Sequence, residues 1–291
     1  MSTSLPLKTP ATLAGTSSKP RTASALAVVA DYLRVLHRVN PVLSWAGWAH
    51  VALLLVCIAL LPFDHRMVTG LPVWVKPAKF VLSDLLYIWT LAWLLADLPA
   101  PAQRTVRRIS WAVAVSMGVE ILCIVVQAGR GTTSHFNGAT ATDGMIFSLM
   151  GLFIMVNTVV IIWAVFLVWQ HRLHGSEAYV WGVRLGLALF LVGSVVGGMM
   201  VHLNQHTVGA PDGGAGLPGL GWSTRAGDLR IAHFLGLHAL QAIPLLGWVL
   251  GRRQLQPQRA VLLTWVGAAL YTTAVGLLFA QAMHGIPFIR W

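Results

Sequence analysis

The sequence predicts an all-α, polytopic membrane protein with seven transmembrane helices in a 3+1+3 arrangement of two parallel repeats, preceded by an interfacial amphipathic helix. Three observations predict it. The 291 residues are 56% hydrophobic and only 10% charged, with a mean hydropathy of +0.71, outside the range of soluble globular chains. Seven apolar stretches each match the roughly 20 residues that cross a hydrocarbon core of about 30 Å. Lys and Arg sort between the connecting segments as they do in multi-pass proteins.

In chain order, residues 1–23 are rich in Ser, Thr, Pro and Ala and lack an apolar h-region, so they read as a disordered tail and not as a cleaved signal peptide. Over 24–39, Leu26, Val29, Leu33 and Leu36 recur at helical spacing, with Asp31, Arg34 and Arg38 between them. That is the pattern of a helix lying at the membrane surface, and Asn40-Pro41 ends it. Spans are expected at 44–62, 73–95, 110–129, 144–168, 180–203, 229–250 and 260–284. They divide into a first repeat (44–129), a linking helix (144–168) and a second repeat (180–291) that carries a long outer loop, 207–227.

The net charge of +11 would suggest nucleic acid for a soluble domain. Here the basic residues read as topology signals and partners of anionic lipid, and nucleic acid is excluded as a partner class. Of the 20 Lys and Arg, thirteen fall on the side of the N-terminus, among them Arg104, Arg107, Arg108, Arg172, Arg252 and Arg253, against seven on the other, Arg66, Lys76, Lys79, Arg130, Arg225, Arg230 and Arg290. The positive-inside rule then predicts an inner-membrane protein with a cytoplasmic N-terminus and an external C-terminus. Cys57 and Cys123 fall inside spans and read as small buried apolar residues, neither a disulfide pair nor a redox motif.

The repeat rests on polar and aromatic matches at constant offset. Lys76-Pro77-Ala78-Lys79-Phe80 aligns with Arg230-Ile231-Ala232-His233-Phe234, Trp111 with Trp265, and Gln127-Ala128-Gly129-Arg130-Gly131 with Gln281-Ala282-Met283-His284-Gly285. Sites in such folds lie between the halves. The matched positions would bring Lys76 to Arg230, Lys79 to His233, Asp84 to His238, Gln127 to Gln281 and Arg130 to His284.

Ionisable residues inside a span are functional candidates because they are costly in lipid. Asp84, Glu120 and His238 lie mid-span and are the expected proton-handling groups, paired as Asp84–His238 or Glu120–His238. Lys76, Lys79, Gln127, Arg130, Arg230, Gln241 and Gln281 would bind substrate. His135, His202, His206, His233 and His284 fall toward the outer face as candidate metal ligands, with His202 and His206 as an i, i+4 pair if their helix runs on through Gln205. Pro244 should kink the sixth span, and Asp228 should cap its N-terminus.

These residues lead to an expected function: a polar, His-rich pocket open to the outer face that binds a transition metal or haem for redox or metal-assisted chemistry on a small molecule. A proton-coupled transporter of a small anionic solute is the alternative. A structural or assembly subunit is the third reading. The lipid bilayer is the one macromolecular partner the sequence specifies.

Overall fold

The structure is a computed structural model, and it describes residues 24–290; the tail expected over residues 1–23 lies outside them. The chain divides into two units, 1–35 and 36–291. Helix α1 (Ala25–Val39) begins in the first, where the Ser24 hydroxyl accepts from the Ala27 amide and Arg34 pairs with Asp31 on an exposed face.

The second unit holds α2 (Pro41–Leu60), α3 (Val75–Ala96), α4 (Gln103–Arg130), α5 (Ala141–Gln170), α6 (Glu177–Leu203), α7 (Leu229–Gly251) and α8 (Pro257–Met283). All seven are long and apolar enough to cross a membrane, so the chain is an all-α multi-pass membrane protein. Helix starts are set by side chains that satisfy orphan amides. Asn40 caps α2 ahead of Pro41, Thr140 caps α5, Ser176 caps α6 and Asp228 caps α7. Helix α4 stops at Gly131 (φ +73°) and α6 at Asn204 (φ +54°), both left-handed. Helices α4 and α5 run for 28 and 30 residues.

Helices α2, α3 and α4 pack on one another, as do α6, α7 and α8; α5 lies against α4 and α6, and α3 touches α7. Helices α6 and α7 make the closest approach. A Cβ on Gly193 would stand 2.5 Å from the Gly236 carbonyl carbon, and one on Gly182 or Gly247 would strike the opposite backbone. Small residues are what allow two helices to pack this tightly in lipid. Pro244 lies inside a continuous α7 and its ring packs where a Gly186 side chain would be.

The two ends of the bundle differ. At one end short connections are cross-tied by Asn40 Nδ2 to Ser110 Oγ (2.8 Å), Tyr179 Oη to Asp97 Oδ2 (2.5 Å) and the His174 ring to Asp97 O (2.9 Å). Burial pushes the Asp97 carboxyl above its ordinary value, and the Tyr179 hydrogen bond opposes this. The other end carries the long segments 61–74, 131–140, 204–228 and 284–290. There Arg66 donates to Gly129 O (2.9 Å) and Lys79 to Leu220 O (2.9 Å), and two small antiparallel ladders form, β1 (Met67–Val68) with β2 (Leu71–Pro72) and β3 (Thr207–Val208) with β4 (Gly227–Asp228). The ladders pair backbone groups that these loops would otherwise leave open.

Candidate functional site

The polar residues converge at the loop-rich end. Lys76 sits in the first turn of α3, and Glu120 lies on α4 about 15 Å below that helix's end by its rise per residue. Segment 131–140 folds inward, so that His135 Nε2 stands 3.7 Å from the buried Glu120 Oε1, while its Nδ1 meets Ser134 Oγ at 3.0 Å. Asn137 holds this turn, donating to Thr132 Oγ1 and Thr133 O and accepting from the Ala139 amide. Phe136 is left-handed at φ +54°, a conformation that is costly for a large side chain and is kept by its surroundings. Those surroundings are aromatic: Phe136 contacts Phe147 at 5.4 Å and His206 at 4.8 Å between ring centres, and His135 lies 5.3 Å from Phe80.

The second loop is anchored through Asp212. Its carboxylate accepts from His206 Nδ1 (2.6 Å), from the His206 and Thr207 amides and from the Thr207 hydroxyl. Burial opposes the Asp212 charge, but these bonds outweigh it and hold the carboxyl well below the usual range. With Nδ1 so engaged, Nε2 of His206 is the ring atom left for another partner. Burial lowers His206 below its ordinary value of 6.5 against the pull of Asp212. Burial also takes His135 well below that value, helped by the charges of Lys76, His206 and His233. Neutral imidazoles therefore face the site.

Lys76 differs from the other cations. It lies among the charges of Arg230, Glu120, Lys79 and Asp212 and 5.7 Å from the Phe80 ring, and its ammonium makes no hydrogen bond or ion pair among the described residues. Arg130 is tied to Asp143 (2.6 Å) and Gln127, and Gln127 donates to the same carboxylate. Arg230 is tied to Asp228 and to Gly221 O, each at 2.6 Å. Those two arginines close loops onto helix ends.

The structure corrects four expectations. Asp84 does not meet His238: its Oδ2 stands 3.9 Å from Nε2 of His50 on α2, while His238 bonds Gln241, which in turn reaches Thr90 of α3 at 3.2 Å. Glu120 meets His135 and not His238, because segment 131–140 dips into the bundle. His202 and His206 do not share a helix face, since α6 ends at Leu203 and Asn204 turns the chain away. His202 and His284 are exposed, and Gln281 is used by Pro287 O (2.9 Å). His135, His206 and His233 come within electrostatic reach of one another, with His233 Nδ1 held 2.8 Å from Gly193 O. Among the described residues no three His, Cys, Asp or Glu are grouped so as to hold a metal ion.

Sequence reasoning missed Phe80, Phe136 and Phe147 as a frame for imidazoles, Asp212 as the His206 partner, and His50. The signal for Asp212 was weak but present: an acidic residue six positions beyond a histidine in a Gly-rich loop is able to fold back on it. Comparison with protein-family models, curated proteins and solved structures finds no match to this chain.

Proposed function

We propose that this chain is an inner-membrane protein whose loop-rich end faces outward and binds a small anionic molecule for acid–base chemistry. The observation that supports it is the unpaired Lys76 ammonium beside the buried Glu120–His135 pair, beneath loops fastened by Phe136 and the His206–Asp212 contact. Lys76 would hold the anion and the neutral imidazoles would orient it by donating or accepting single hydrogen bonds. Glu120 and His135 would pass the proton. Positive-inside sorting of Lys and Arg supports the orientation.

A metal or haem form of this reading would rely on His135, His206 and His233, and elemental analysis with an absorption spectrum of the purified protein tests it. The transporter form would need one three-helix group to move against the other, across a seam where Gln241 of α7 meets Thr90 of α3 and Tyr87 of α3 stacks on Phe190 of α6.

The test uses vesicles holding the full-length chain. Inorganic phosphate and a panel of small carboxylates including benzoate are screened for thermal stabilisation, and an Ala139→Cys variant without Cys57 and Cys123 is labelled with an impermeant maleimide. At least one anion should stabilise the wild type and leave K76Q unchanged, with labelling from the external face. Equal stabilisation of K76Q, or no response to any anion, would overturn the site. Labelling of a second variant, Ser116→Cys at a fully buried position of α4, from both faces would favour the transporter.

A further inference from the structure

Five buried polar side-chain atoms find no hydrogen-bond partner among the described residues: His50 Nε2, Asp84 Oδ2, Trp89 Nε1, Ser116 Oγ and Glu120 Oε2. All five belong to α2, α3 and α4. Buried polar groups are nearly always satisfied, so a run of exceptions confined to one three-helix group calls for a reason. Their burial is deep: His50 is 4% exposed, Ser116 0% and Glu120 5%.

The order of four of them along the bundle supplies the reason, while the Trp89 ring packs on Gly47 of α2 to their side. His135 and Lys76 stand at the loop-rich end, and Glu120 stands 3.7 Å below His135. Ser116 is one helical turn farther along α4 on the same face, and Asp84 on α3 is within electrostatic reach of Glu120. Asp84 Oδ2 stands 3.9 Å from His50 Nε2, too far for a direct hydrogen bond and near enough for one bridging molecule. Beyond His50 the character changes. Its Nδ1 is bonded to Ala46 O (2.8 Å), and the next polar groups are satisfied: Ser44 with His37, Asn40 with Ser110. Between them Leu43, Ile109 and Val113 are fully buried.

We infer that His50, Asp84, Ser116 and Glu120 form a proton-loading branch that connects the loop-side site to the middle of the α2–α4 group and ends there. The inference rests on the acid–base reading of Glu120 and His135. The step balances without a co-reactant: a proton leaving the site on His135 Nε2 passes to the Glu120 carboxylate and from there to Asp84, and is held between Asp84 Oδ2 and His50 Nε2. His135 returns to neutral imidazole. Ser116, a hydroxyl that both donates and accepts, lies beside the Glu120 stage. Other titratable groups near the branch are engaged or lie to its side: Tyr87 donates to Asn157, Asp143 is paired with Arg130, His238 with Gln241, and Cys123 is a buried thiol on α4. The site's proton is thus stored inside the bilayer and reaches external water only by way of Glu120 and His135.

The experiment follows the His50 ring proton by nuclear magnetic resonance in the full-length, histidine-labelled chain in lipid, after transfer to heavy water. In a closed bundle an imidazole bonded to its own helix keeps its proton. The proposal expects prompt exchange in the wild type, slowing at least tenfold in E120Q, D84N and H135F, and no change in S148A, where an exposed hydroxyl is lost. H135F alters a residue outside the helices and so tests the same route if a span variant folds poorly. Slow exchange in the wild type, or a His50 rate indifferent to E120Q and H135F, would overturn the branch. Anion binding through Lys76 is measured separately, so failure of the branch and failure of the site are told apart.

Discussion

Nδ1 of His206 and Oδ2 of Asp212 lie 2.6 Å apart, and this contact fastens the longest connecting segment among the described residues, 204–228, over the candidate site. Burial holds His206 below 6.5 in the folded chain, so its contribution to folding is complete above that value and is lost as pH falls through the lower, folded value. His135, depressed by burial further still, has the same sign. Asp212, held low, adds a further loss only at more acidic pH. Trypsin cleavage at the exposed Arg225, scaled to a matching unstructured peptide, should therefore be slow above pH 6.5 and accelerate as the pH is lowered. D212N should be cut quickly throughout.

Phe136 tests the strain. Removing the ring in F136A loses the aromatic contacts and keeps a left-handed, Cβ-bearing residue. F136G loses the same contacts but relieves the conformation, worth about 1 kcal/mol. The glycine variant should thus melt above the alanine variant, the reverse of the order in a helix.

The α6–α7 contact admits no side chain. G193A and G236A place a Cβ 2.5 and 2.4 Å from backbone atoms of the facing helix, and neither backbone can yield without moving its helix. Overpacking of this kind costs about 1–3 kcal/mol. G193A should also shift the His233 ring, whose Nδ1 is bonded to Gly193 O, and the His233 resonance reads this directly.

Lys76 and Arg130 should separate by phenotype. K76Q removes an ammonium that makes no hydrogen bond or ion pair among the described residues and only a distant contact with the Phe80 ring, so the melting temperature should stay close to wild type while anion stabilisation is lost. R130Q breaks a tie among Gln127, Asp143 and the start of α5 and should lower the melting temperature. Equal effects of both on stability would place Lys76 among the structural cations.

What was legible follows from what the bilayer constrains. Span seven was expected at 260–284 and α8 runs from Pro257 to Met283, because length and hydropathy leave little choice. Mid-span placement picked out Asp84 and Glu120 for the same reason. Partners were not legible. Whether Asp84 meets His50 or His238 depends on which helices pack, and His50 carries no periodic signal. The inward fold of His135 depends on a left-handed Phe136, which no propensity would assign. Asn204 likewise ends α6 before His206, a local backbone choice that separated two histidines whose spacing had suggested a shared ligand.

Helices α4 and α5, at 28 and 30 residues, extend for about 42 and 45 Å along their axes, well beyond the apolar slab. Helices of this length either tilt within the bilayer or carry their end turns into the zone of lipid headgroups. On the proposed reading of Lys76, the phosphate of a lipid headgroup is as much a candidate occupant as a free anion in water, and stabilisation by vesicles of anionic lipid tests this.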